Sequence, residues 1–256
     1  MKNYLVTILF FLLFTPADSQ EPGYNSFGAY VTPAQNMRPK NGNSGELQFE
    51  IHGAYTRPVN KTQLHSSKIL NDIRPGYPSN WLKDYISTEI QSVSNGKYMH
   101  AGSANDTLSP QQIALLNTVD IGDDITIRVQ YNSKNAATDR TEIRTMNYTV
   151  TVIPEIEAEY RGGHPQLTKY IKENALNKIP TKVGKELQDG IVGFTINEQG
   201  ETTNTHLRKS TGNSETDKLL LEVIHSMPKW KPAENSKGQK VKQKFEFNVR
   251  AENTGC

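Results

Sequence analysis

Apolar and polar residues alternate along several stretches of the chain, the mark of a strand with one buried face. Leu47, Phe49 and Ile51 alternate with Gln48, Glu50 and His52. Ile125, Ile127, Val129 and Tyr131 alternate with Thr126, Arg128 and Gln130, and Met146, Tyr148, Val150 and Val152 with Asn147, Thr149 and Thr151. The polar run Asn132 to Arg140 joins these last two as a hairpin loop. Further on, Val192, Phe194 and Ile196 mark a strand, Asn197-Glu198-Gln199-Gly200 a turn, and Thr203, Thr205 and Leu207 a second strand. The final stretch sets Val241, Phe245, Phe247 and Val249 against Lys240, Lys242, Lys244, Glu246, Asn248 and Arg250.

Helix signals fall between these strands. In Ser109-Pro110-Gln111-Gln112, Ser109 can cap, Pro110 suits the first helical position and Gln112 can close a capping box. Ile113 and Leu116 give that short helix its apolar face. Pro165 opens a helix with Leu167, Tyr170, Ile171 and Leu176 on one side. Asn213 or Ser214 caps another, carrying Leu219, Leu220, Val223, Ile224 and Met227, and Pro228 stops it. Strands of residues 46–154 are harder to place before Ile125, and that half reads as mostly β with one short helix. Residues 155–256 read helix, strand, strand, helix, strand, an α+β unit with an antiparallel sheet. The connector Glu155 to Gly163, acidic and carrying a Gly-Gly pair, marks the boundary and is expected to be open to proteases.

The beginning of the chain reads differently. Lys2 precedes the apolar run Tyr4–Phe14, and small residues follow at Ala17 and Ser19, the pattern of a secretory signal peptide (1–19) cleaved after Ser19. The run falls short of the roughly 20 residues that a hydrocarbon core of about 30 Å demands. An uncleaved anchor is the alternative. Cleavage places a mature protein with no transmembrane anchor in the periplasm, starting at Gln20. Residues 20–45, rich in Pro, Gly, Asn and Ser without periodicity, read as a flexible leader.

Of 256 residues, 22% are charged and 35% hydrophobic, and the net charge is +2. So small a net charge argues against a nucleic-acid partner. The single cysteine, Cys256, has no internal partner for a disulfide, and no zinc-type spacing exists. The six histidines are scattered, without HxH or HExxH. Gly162-Gly163 lies in no phosphate-loop pattern and reads as a turn before a helix. Asp120, Asp123 and Asp124 lack the spacing of a calcium loop. No G-x-S-x-G occurs. The chain therefore reads as a non-enzyme without cofactor or metal.

Residues 157–250 resemble the TonB C-terminal domain, in the versions found in Bacteroidetes envelope proteins. The resemblance is carried by Tyr160-Arg161-Gly162-Gly163 with Leu167, Tyr170, Ile171 and Asn174, and by the run Gly190 to Gly200. Its sharpest piece is Ser226-Met227-Pro228-Lys229-Trp230-Lys231-Pro232-Ala233, followed by Gly238-Gln239-Lys240-Val241 and the Phe-rich last strand. It implies a module of two helices on a small antiparallel sheet that binds outer-membrane receptors or other envelope proteins by β-strand addition, in support of transport across the membrane. The family's long Pro-rich spacer is not present here. The first half resembles the C-terminal domain of the gliding-motility protein GldM, through Leu108 to Gln112, Gly122 to Ile125 and the strand ending at Pro154. That similarity points instead to a structural component of a gliding or secretion apparatus.

Residues Lys240, Lys242, Lys244, Glu246, Asn248 and Arg250 are the candidate partner-binding side chains. If their strand is a sheet edge, its free N–H and C=O groups can pair with an extended segment, and the lysines would favour an acidic one. Lysines on an edge can equally serve only to block aggregation. A second copy of the chain is a further partner compatible with this pattern. Trp230, between Lys229 and Lys231, is either a core plug, the expected role, or an exposed anchor.

Overall fold

The computed structural model describes residues 47–79, 82 and 84–251, so the signal peptide and leader expected before them, as well as Trp81 and Cys256, lie outside the described residues. The described elements belong to one compact unit. It is mixed α+β, with eleven strands and six α-helices among the described residues. In chain order these begin with β1 (Gln48–Gly53), β2 (Pro58–Asn60), α1 (Lys61–Ser66), α2 (Leu70–Ile73), β3 (Tyr85–Ser94) and β4 (Lys97–Ser103). Then come α3 (Pro110–Leu116), β5 (Asp124–Lys134), β6 (Thr141–Ile153) and α4 (Gly163–Asn174). A short 3-10 turn (Leu176–Lys178) leads to α5 (Thr181–Glu186), β7 (Gly190–Ile196), β8 (Thr202–Lys209) and α6 (Ser214–His225). The last strands are β9 (Ala233–Glu234), β10 (Lys240–Val241) and β11 (Gln243–Arg250).

The first sheet has five strands in the order β2-β6-β5-β3-β4. Its inner face follows the alternation: Ile125, Ile127 and Val129 from β5 and Val150 and Val152 from β6 are buried, and they pack with Leu64, Leu70, Ile73 and Leu116 from the helices. Helix α3 starts as its sequence dictates. The Ser109 hydroxyl accepts from the Gln112 amide at 3.2 Å, and the Gln112 side chain accepts from the Ser109 amide at 2.9 Å. Its buried face consists of Gln112, Leu115 and Leu116, whereas Ile113, expected inward, is exposed.

The second sheet has four strands in the order β1-β11-β7-β8, all antiparallel. Helices α4 and α6 cover one side of it, with Leu167, Ile171, Leu220 and Ile224 buried against Val192, Phe194, Ile196, Phe245 and Phe247. Asn213, rather than Ser214, caps α6 by accepting from the Thr216 amide at 2.9 Å. Trp230 is 3% exposed and fills the middle of this core, edge-on to Tyr160 at 5.4 Å and 5.2 Å from Phe245.

Two features depart from the sequence pattern. First, β1 does not join the first-half sheet whose strands come next in the chain; it crosses to pair with β11 over Gln48↔Arg250 to Gly53↔Phe245. Leu47, Phe49 and Ile51 pack on the second core. Secondly, the connector at 155–161 is not an open linker. Ile156 exchanges backbone hydrogen bonds with Glu234 and Glu159 with Lys231, at 2.8–3.1 Å, and Ala158 and Tyr160 are buried. Ile156 itself is exposed, but the backbone pairs and the buried Ala158 and Tyr160 hold the segment against the second core, which leaves little of the opening that proteolysis requires.

Candidate functional site

Five of the six candidate side chains fall on two strands. Lys240 lies on β10, in register with Glu234 of β9, and Lys242 sits in the break between β10 and β11. From Gln243 onward the alternation holds: Gln243, Phe245, Phe247 and Val249 are buried, Lys244 and Arg250 exposed, and Glu246 and Asn248 partly buried. One continuous strand from Lys240 to Arg250 was expected; the chain instead switches partners at Lys242, so that Val241 pairs with Ala233 outside the main sheet.

The charged side of β11 is tied to both neighbours. The Glu246 carboxylate pairs with the Arg208 guanidinium, which reaches it from β8 across β7. Asn248 shares a hydrogen bond with His52 Nε2 of β1 at 2.9 Å. At the entry of the strand, the buried Gln243 donates to Glu157 Oε2 at 2.6 Å and accepts from the Ala158 amide at 2.8 Å. Tyr55, just after β1, donates to the other Glu157 oxygen at 3.3 Å. Burial, with the Glu157 charge beside it, pushes the Tyr55 hydroxyl well above the usual phenol range.

The expectation that β11 is a sheet edge does not hold. Its backbone is paired on one side by β7 and on the other by β1. Within the described residues the edges of this sheet are β1 and β8. Strand β8 is an irregular edge: Asn204 has φ of 49°, and the pairing with β7 slips at Ile191/Val192 and at Gly193/Thr195. Such bulges twist an edge away from further pairing. In the first sheet β4 is one edge. On the other side β2 covers only Thr151 to Ile153 of β6, leaving most of that strand without an outer neighbour among the described residues.

Two hollows accompany these strands. One, of about 390 Å³, lies beside α4 between Tyr160, Tyr170 and Pro228. The other, of about 440 Å³, has Lys244 on one wall and Tyr98, Asp123 and Asp124 on the others. Asp123 accepts from the Asp120 amide at 2.7 Å and Asp124 from the Thr151 hydroxyl at 2.6 Å, so both carboxylates serve the turn and the sheet end they belong to. Among the described residues no three His, Cys, Asp or Glu side chains are grouped as a metal site would need, and no helix is long and apolar enough to cross a membrane. Gly162-Gly163 forms the turn into α4, with the Gly163 amide donating to the Tyr160 carbonyl at 2.7 Å.

Sequence reading missed His52 and Arg208 as neighbours of the candidate residues. Only the register β1-β11-β7-β8 brings them to Asn248 and Glu246. Comparisons with protein-family models, with curated proteins and with solved structures returned no match.

Proposed function

We propose that this chain is a TonB-like binding module of the periplasm, which engages outer-membrane receptors or other envelope proteins by pairing an extended partner segment with its second sheet. The observation that carries this reading is the last strand. Its apolar side chains are locked in the core, Lys244 and Arg250 are exposed, and its outer side carries β1 as an added antiparallel strand, the pairing that a partner segment would reproduce. Backbone pairing supplies affinity, and the basic side chains favour acidic segments. The resemblance of residues 157–250 to TonB supplies the partner class.

The test is calorimetry of the full chain against the N-terminal segments of outer-membrane receptors. Lys242 and Lys244 are exposed, so reversing both to Glu leaves stability within about 0.5 kcal/mol. The reversal weakens binding and flattens its dependence on salt. Unchanged affinity across salt would reduce the lysines to a guard against aggregation.

A second reading, a structural component of a gliding or secretion assembly, is favoured by one observation. The long strand β6 lacks an outer neighbour over most of its length among the described residues and carries Ile143, 68% exposed, on this half of the chain. Capture of motility or secretion proteins in place of receptors from an envelope extract selects this reading.

A further inference from the structure

Strand β1 has the chemistry expected of a partner. It is extended, it places Leu47, Phe49 and Ile51 on the core side, and it carries Glu50 between them, with Glu46 just before it in the sequence. It runs antiparallel to β11 in unbroken register for six residues, the Phe49 ring 6.0 Å from that of Phe247. Glu50 stands opposite Asn248, one step along the same face from Arg250. These are the features that the basic, alternating strand β11 selects: an extended segment, apolar at every second residue, with a carboxylate between.

The attachment of β1 is also lighter than that of the interior strand β7. None of Gln48 to His52 is buried, whereas every residue of β7 except Ile191 is. A strand held by backbone pairs and half-covered side chains opens at lower free energy than the strands behind it. A short leash, the four residues between Gly53 and Pro58, ties β1 to β2. An opened β1 therefore remains close, at a high effective concentration.

We infer that β1 is a resident strand in the partner's place. The docking edge is β11, and it takes an acidic, alternating partner segment by exchange with β1. This rests on the strand-pairing function proposed above. The bulged β8 is a poor template for the same purpose. A segment adding outside β1, with β1 still in place, is the competing outcome that the test separates.

The test uses the full chain with Cys256→Ser and two new cysteines, Glu50→Cys and Asn248→Cys. Directly opposed residues of a hydrogen-bonded antiparallel pair lie about 5.5 Å apart at Cα, within disulfide range. The probe is a fluorescent peptide of residues 45–54. Expected is weak binding to the reduced protein, none to the oxidised one, and at least about tenfold tighter binding when Phe49→Ser loosens β1. Amide exchange followed by NMR gives a readout without any ligand. Lys244 O accepts from the Ala54 amide at 2.9 Å, so alternate residues Glu246 and Asn248 direct their backbone groups toward β1 and Phe245 and Phe247 toward β7. Glu246 and Asn248 amides are expected to exchange at least about tenfold faster than those of Phe245 and Phe247. Equal exchange, or peptide binding untouched by the disulfide, overturns the inference. If receptor segments bind the oxidised form as tightly as the reduced one, strand addition survives at another edge and the exchange of β1 does not. If the peptide exchanges as described but no receptor segment binds, the exchange stands and the receptor partner falls.

Discussion

Gly200 is the position at which one added methyl group tests the second core most severely. It ends the turn Asn197–Gly200 with φ of 79°, and its carbonyl accepts from the Trp230 amide at 2.7 Å. A Cβ there would stand 2.1 Å from the Trp230 carbonyl oxygen and 3.1 Å from its carbon. Trp230 cannot yield cheaply, since Tyr160, Phe194 and Phe245 enclose its ring. Gly238 is the control: its φ is 71°, but a Cβ there meets nothing within 4 Å. Both Ala variants carry the left-handed backbone cost of about 1–2 kcal/mol. Only Gly200→Ala adds an overpacking cost, about 1–3 kcal/mol. We therefore expect Gly238→Ala to lose about 1–2 kcal/mol and Gly200→Ala about 2–5 kcal/mol. The assay is urea unfolding read by tryptophan fluorescence in a Trp81→Phe background, where Trp230 reports on its own surroundings. Equal losses in the two variants would refute the claim that the Trp230 backbone is fixed against this turn.

Three further outcomes concern other sites. Phe247 is 0% exposed, so Phe247→Ala should cost about 3–5 kcal/mol in urea unfolding, whatever the partner. Ser109→Ala removes the cap of α3 and should cost about 1 kcal/mol, with no change in the fluorescence of Trp230. Asp217 is a pH probe. Burial opposes its charge, but hydrogen bonds from the Ser210 hydroxyl and from the Thr211 amide and hydroxyl hold its carboxyl below the ordinary value of 3.8. A depressed carboxyl contributes stability above its unfolded-state pKa and loses it as pH falls through the folded one. Wild-type stability should therefore decline on acidification from about pH 4 downward, and Asp217→Asn should flatten that decline while lowering stability at neutral pH.

The side-chain alternation by itself determined which faces of β5, β6 and β11 meet the core, and the capping residues determined where α3 and α6 start. These are local properties, because a strand turns successive side chains to opposite faces and a cap satisfies its own helix end. Strand β3 escaped the same reading. Its inward residues include Thr88, Ser92 and Ser94 beside Ile90, and its exposed ones include Ile86 and Val93, so the apolar residues do not mark the buried face. Ser92 can be buried because its hydroxyl donates to the Asp124 carbonyl at 2.9 Å, a partner supplied by the neighbouring strand. The place of β11 within its sheet was equally beyond the sequence. Alternation reports the direction perpendicular to the sheet, whereas being an edge or an interior strand is decided within its plane, by backbone groups that every residue carries alike. Only tertiary structure brought β1, from nearly two hundred residues away in the chain (|i−j| = 196 for His52 and Asn248), to the side of β11 that the pattern had left open.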